Sequence, residues 1–321
     1  MSITTPSYRP DPQRTGISLA YTNREFIADQ VLPRVQVAQY QFAWNRFNLS
    51  DRFTLPDTIM GRSAEANEVQ FGVTRETGMV EDHGLGCYTP QVDVEEGALI
   101  GYSPLDNNAL MLTELLLLRH EKSVADLVFN LNTYPSTNRA TLSGTNQFSH
   151  ADSKPYDTIM NALEGVLMRP NVLVLNRPGM VALRKHPQIT AMVATTGSGN
   201  SETSNAAGRP VTNQQLADLL EVDRVIVGSA FINSAGLGET PVTARCWGNH
   251  MAMLHINPNV ASAVGRAITF GFIAEKGNRR AFSQFEPKLG VDGSTYQRVV
   301  ETKKPIIAAN DVAYFLQNII A

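Results

Sequence analysis

The residues of this chain with the means to do chemistry fall into a few local groupings. His83 and Cys87 stand four apart in a glycine-bearing stretch, with Glu81 and Asp82 beside them. Imidazole and thiol bind zinc, but a zinc site takes about four ligands, and the other cysteine, Cys246, is far away. Loop residues are the better reading. His250 and His255 look like a pair, yet five positions along a strand put them on opposite faces. One is therefore expected to face the core and the other the surface. His120 and Glu121 come late in an apolar-periodic segment, where a cation complements the C-terminal end of a helix. Asp93, Glu95 and Glu96 have the chemistry for acid–base work or for calcium. Just before Gly97, they read instead as a solvated turn or as partners for an arginine of a neighbour. Gly197-Ser-Gly-Asn-Ser201 has the composition of a phosphate cradle, but no apolar strand precedes it and no lysine follows. A surface loop is preferred.

None of these makes a catalytic constellation. There is no phosphate-binding loop ending in Gly-Lys, no Gly-x-Ser-x-Gly elbow and no His-Glu-x-x-His helix. No catalytic, cofactor-binding or metal-ligating residue is assigned, and the chain reads as a non-enzyme. The composition narrows the classes further. With 321 residues, 43% hydrophobic and 18% charged, the chain can bury a substantial core, about three quarters of its unfolded surface. A formal net charge of −3 gives no strong global pull on nucleic acid. Two distant cysteines make neither a disulfide framework nor a zinc motif, which fits a reducing compartment. Residues Met1 to Arg14 hold three prolines and no apolar core, so no secretory signal is read there. The longest apolar run, Leu110 to Leu118, contains Glu114 and is too short to span a bilayer.

The elements that must position all this are legible in outline. Residues 1–35 read as an arm, where Pro6, Pro10 and Pro12 favour extended backbone over an early helix, with a short helix around Asn23 to Val31. From 36 to 102 the period is two. Tyr40, Phe42 and Trp44 share one face, and Val69, Phe71 and Val73 share another, which predicts a long two-stranded ribbon. Such ribbons are marginal alone, so a neighbouring subunit is the expected packing partner for those six residues. Ser103-Pro104 opens a helix whose apolar spacing predicts a rod to Asn130 or Asn132, buried on more than one side at Leu115 to Leu118. A helix at about 156–168, a buried strand at 171–176 and a helix from Pro178 to His186 follow. Residues 195–210 are a polar loop. A helix at 212–220 leads into strands at 222–232 and 244–256, then near 267–275, 280–286 and 296–302. The mixture is α+β.

Certain strings then resemble a family. They are Asn171-Val-Leu-Val-Leu-Asn176 before Pro178, the stretch Leu216 to Gly228, Ala244-Arg-Cys-Trp-Gly248, and Val299-Val-Glu-Thr-Lys-Lys-Pro305 in the final stretch 286–321. With the order of elements, they are similar to the coat-protein family of tailed bacteriophages, whose fold is shared with herpesvirus capsid floors and encapsulins. The resemblance implies an N-terminal arm at 1–35 and an extended β loop at 36–102. It implies a peripheral domain at 103–155 and 268–304 with the long helix as its spine, and an axial domain at 156–267 and 305–321. It also implies self-assembly into hexamers and pentamers, an icosahedral shell around double-stranded DNA contacted non-specifically, and no membrane. Scaffolding, portal and decoration proteins would be partners, assembly would occur in a bacterial cytoplasm, and the product would be the virion capsid. Two departures matter. Some relatives cross-link through a lysine in the extended loop, but the first lysine here is Lys122; some carry a large N-terminal scaffolding segment, and this arm is too short for one. An encapsulin-like nanocompartment shell is the nearest alternative, ahead of an α+β enzyme such as a hydrolase and of a tail or adhesin subunit.

Overall fold

The computed structural model describes residues 10–47, 55–60, 65, 67–68, 72–196, 211–236, 238–259 and 268–321. Helix α1 (Pro12–Ala20) opens it, where an extended arm was predicted. Proline is excluded from helix interiors because it lacks an N–H, but at the first position that N–H has no partner anyway. Pro12 takes that position, and Asp11 caps the helix by accepting from the N–H groups of Gln13 and Arg14. The predicted helix over 23–31 shrinks to α2 (Ala28–Val31).

Strand β1 (Arg34–Gln36), the ribbon strands β2 (Gln41–Phe47) and β3 (Val73–Met79), and β4 (Glu81–Pro90) follow. Asp93, Glu95 and Glu96 lie on helix α3 (Gln91–Leu99), not in a turn. The long helix α4 (Pro104–Val128) starts where Ser103-Pro104 indicated, the Ser103 hydroxyl accepting from the Asp106 N–H. Its 25 residues give a rod of about 37 Å. Leu112 and Leu116 are buried while Leu115 is 52% exposed, so mid-helix the rod buries one stripe and leaves an outer face open.

Beyond it come β5 (Arg139–Thr141), α5 (Pro155–Glu164), β6 (Val172–Asn176), α6 (Arg177–Lys185), α7 (Pro187–Thr196) and α8 (Asn213–Leu220). The remaining strands are β7 (Arg224–Gly228), β8 (Phe231–Asn233), β9 (Thr243–Arg245), β10 (Met251–Leu254), β11 (Gly271–Glu275), β12 (Arg280–Glu286), β13 (Ser294–Ile307) and β14 (Ala313–Gln317). The fold is α+β.

Two five-stranded sheets organise the chain. In the first the order is β1-β11-β13-β12, with β4 along the other side of β13. The spine helix lies on one face of this sheet, where Leu112 and Leu116 meet Ala281 and Val299. The second sheet has the order β5-β14-β10-β6-β7. Its central strands β6 and β10 are buried at every residue, as continuous apolar runs covered on both faces must be. One face meets the apolar sides of α5, α6 and α8, and the other meets Val124, Val128 and Phe270. Strand β5, at residues 139–141, is part of this second sheet. The ribbon β2–β3 and the hairpin β8–β9 complete the strand pairings.

Candidate assembly surfaces

At the root of the ribbon, Phe42 stands opposite Gly78. A Cβ at 78 would come within 2.9 Å of the Trp44 ring and 3.2 Å of the Phe42 ring, so glycine lets both rings close over the ribbon. They reach Phe272 at centroid distances of 6.4 and 6.1 Å, within a cluster that includes Val80, Ala274 and Ile306. The sequence left this face in need of a partner, and strands of the same chain provide one for Phe42 and Trp44. The indole Nε1 of Trp44 stays buried with no acceptor among the described residues. Tyr40 is 44% exposed; the Lys276 ammonium sits 3.8 Å from its ring centroid and its hydroxyl reaches the Asp82 carboxylate at 3.2 Å. Val69 and Phe71 lie outside the described residues, as does 197–210. Val73 pairs with Phe47 at the far end of the two strands.

A second locus was not legible in the sequence. Where α2, the spine helix and the first sheet meet, His120, Glu121, Glu275, Arg279, Glu301 and Lys303 are buried, with Asp29 and Arg34 at their more exposed rim. Glu121, fully buried, accepts the N–H groups of Ile27 at 3.0 Å and Ala28 at 2.8 Å and the indole N–H of Trp247 at 2.6 Å. One carboxylate thus ties the arm, the spine and the connection between β9 and β10 together. Trp247 reaches it because Gly228 leaves room for the indole: a Cβ there would lie 2.4 Å from the ring. Burial pushes the Glu121 carboxyl up, against those three donors.

Beside it, Asp29 bonds Arg34 at 2.8 Å and His120 at 3.3 Å, and Arg34 continues to Glu275 at 3.0 Å. Burial alone would raise the Asp29 carboxyl, but His120 and Arg34 hold it well below the usual range. Deeper in, Glu301 pairs with Arg279 at 3.3 Å and Lys303 at 2.5 Å. Burial pulls the Lys303 ammonium down to about 8 against the pull of Glu301. His120 is not a cation at a helix end: it is buried eight residues before Val128, and burial lowers its pKa. It serves as a neutral imidazole. The sequence did carry one signal, since Val299, Glu301 and Lys303 alternate on one strand face and burial of the valine implies burial of the charges.

A third surface is apolar. Gly97 packs so tightly against Pro104 and the Tyr102 carbonyl that a Cβ would meet both at 2.8 Å. The corner between α3 and the spine helix is therefore sharp, and Leu99 and Ile100 project from it at 87% and 80% exposure. Tyr102, Met111 and Leu115 are also exposed. Exposed apolar side chains mark contact sites where they form a contiguous patch.

The polar groupings read from the sequence remain separate. His83 and Cys87 lie on β4, and no three His, Cys, Asp or Glu side chains among the described residues are placed to hold a metal ion. His250 and His255 flank β10, and both are half-buried, so the expected core-versus-surface split does not occur. His250 Nδ1 accepts the Asn318 N–H at 3.1 Å. His255 Nδ1 faces the Arg169 carbonyl at 3.1 Å and so carries the proton. Burial pushes the Cys246 thiol up to about 12 and raises that of Cys87, which suits neither to nucleophilic work. No helix among the described residues is long and apolar enough to cross a membrane.

Comparison with known proteins bears on what such surfaces are for. No family model matches the chain. It is 38% identical over 311 residues to the major capsid protein of Pseudomonas phage JBD67, covering 97% of each. It is 29% identical over 229 residues to the major capsid protein of Burkholderia phage BcepMu, covering 68% of this chain and 69% of that one. In fold it matches a phage-related protein from Bordetella bronchiseptica RB50 with a TM-score of 0.73 at 18% identity, covering 98% of both chains. It also matches the capsid of cyanophage P-SCSP1u with a TM-score of 0.59 at 9% identity, covering 93% and 89%. Through its 38% identity to the JBD67 protein over 97% of both chains, the chain belongs to the family of phage major capsid proteins.

Proposed function

We propose that copies of this chain assemble into hexamers and pentamers that close an icosahedral shell around double-stranded DNA. The observation that carries this reading is the 38% identity over 97% of both chains with a phage major capsid protein. The protein works through contacts between copies and has no catalytic role. Many modest interfaces act together once a shell closes. A net charge of −3 suits a wall that encloses DNA without gripping it. Scaffolding, portal and decoration proteins are further partners, assembly takes place in the host bacterial cytoplasm, and the virion is the destination.

The ribbon face formed by Tyr40, Phe42, Trp44, Val69, Phe71 and Val73 is proposed to contact a neighbouring copy. One fact supports it: Tyr40 remains accessible. Likeness to an encapsulin from Synechococcus elongatus, with a TM-score of 0.52 at 10% identity, concerns fold alone. The test is negative-stain electron microscopy of the recombinant protein after gel filtration, alone and with its scaffold. Hollow shells or rings of five and six support the reading; a monomer under every condition overturns it. Shells that package protein cargo in place of DNA would favour the nanocompartment.

A further inference from the structure

The first sheet is touched at each outer edge by a single rung. Along β12 the arm engages one residue: Ala281 C=O accepts the Asp11 N–H at 2.9 Å, and its N–H donates to Thr15 Oγ1 at 3.0 Å. The Gln91 N–H donates to Gly293 O at 3.0 Å, directly extending the register that pairs Pro90 with Ser294. In an antiparallel ladder hydrogen-bonded pairs alternate with non-bonded ones. Odd-numbered residues of β4 therefore turn their backbone groups to β13, and even-numbered ones turn theirs outward. The outward N–H of Val80 is used, donating to Tyr40 O at 2.9 Å. The next outward residues, Asp82, Gly84, Gly86 and Tyr88, have no backbone hydrogen-bond partner among the described residues.

An unpaired, exposed strand edge is a template for another strand, and proteins normally blunt it with lysine, proline or a bulge. Between Asp82 and Thr89 there is no lysine and no proline, and the register with β13 runs unbroken over ten residues. The one acidic side chain there, Asp82, is already engaged by Thr302 Oγ1 at 2.5 Å. Beyond the single rung from Val80 to Tyr40, the edge stays open from Asp82 to Tyr88 among the described residues.

We infer that the outward edge of β4 from Asp82 to Tyr88 pairs with an extended stretch of a second copy of this chain. The inference rests on the shell reading, which makes a second copy the partner always at hand. Seven residues of strand span about 23 Å, and the added ladder gives main-chain affinity with little demand on side-chain chemistry.

The test is residue-resolved hydrogen exchange on shells assembled from this chain alone and on dissociated subunits. The amides of Asp82, Gly84, Gly86 and Tyr88 should exchange at least about a hundredfold more slowly in shells, while those of His83, Leu85, Cys87 and Thr89 are slow in both. Alternation is the signature, because a merely covered surface would slow both sets. Fast exchange at the even positions in shells overturns the inference and leaves the shell reading intact. Slow exchange at those positions already in free subunits also overturns it, as the chain would then be closing its own edge. Protection that needs another protein overturns the choice of partner. If no shells form, the shell reading fails and this inference fails with it. Gly84→Pro removes one outward N–H and no ladder bond, a change edge strands tolerate. A folded variant should lose at least tenfold in shell yield, and normal yield would count against the inference.

Discussion

The two five-stranded sheets bury their residues by different means. The second sheet is saturated with aliphatic side chains: Leu173, Leu175, Met251 and Met253 face one side, Val172, Val174, Ala252 and Leu254 the other, and all are buried. Its helices need only be apolar on the inner face, so many substitutions of similar volume would satisfy it. The first sheet meets the arm and the spine through Asp29, Arg34, His120, Glu275, Arg279, Glu301 and Lys303. Three acids face three bases there, with the imidazole neutral. Burying ions costs about as much as their attraction returns, so this contact adds little to stability. What it adds is discrimination, because any register in which one charge misses its partner is strongly disfavoured. The apolar sheet holds the subunit together, and the ionic one fixes how the arm and spine sit on it.

This contrast can be broken by experiment. The largest effect should come from Glu301→Gln, which strands both Arg279 and Lys303 as buried cations. A loss of about 3–5 kcal/mol in denaturant unfolding is expected, and a loss below about 1 kcal/mol would mean the junction is wetter than it looks. Leu175→Ala in the second sheet should cost about 2–5 kcal/mol through the cavity it leaves, with the same value at pH 5 and pH 7. The two changes lie in different sheets, so in combination they should add to within about 0.5 kcal/mol.

A smaller effect should distinguish the sheets by pH. Burial lowers the folded-state pKa of His120, so as pH falls below about 6.5 the unfolded chain takes up a proton that the folded chain refuses. Stability is then lost on acidification, by at most about 1.4 kcal/mol per pH unit. Asp29 adds to this only in stronger acid: its lowered pKa contributes stability that is fully present above about pH 4 and lost as pH falls below it. Melting curves of His120→Gln between pH 7 and pH 5 should be flatter than those of the parent chain; an unchanged slope would remove His120 from the account. The smallest effect belongs to Thr212→Ala. It deletes the capping box at the start of α8, where Thr212 and Gln215 bond reciprocally, and should cost about 1 kcal/mol at either pH.

The same contrast explains what could be read without a structure. Asn171 to Asn176 announced a buried strand because burial on both faces leaves an uninterrupted apolar run. Ser103-Pro104 marked the start of the spine to the residue, since a cap and a first-turn proline are local chemistry. The partners of Glu121 were invisible. They lie 94 and 126 residues away, and a buried glutamate in sequence looks like a solvated one. The helix at Pro12 was missed because proline weighed against a helix when its position at the start made it compatible with one. The ribbon is legible from its period, while the cover that Phe272 and Ile306 give its aromatic root is not, because they lie about 200 residues or more away in sequence. Periodicity shows that a face must be covered and does not show by what.

The placement of β13 and β14 has a consequence for how the protein is made. β13 is the strand to which β4, β11 and β12 all bind, and β14 is inserted between β5 and β10. β13 emerges from the ribosome long after β4, and β14 long after β5; Glu81 waits for Lys303. Neither sheet can therefore close during most of translation, and contacts so distant in sequence make for slow folding with exposed edges. A chain that stopped short of β14 would leave β5 without its neighbour and the edge of β10 open.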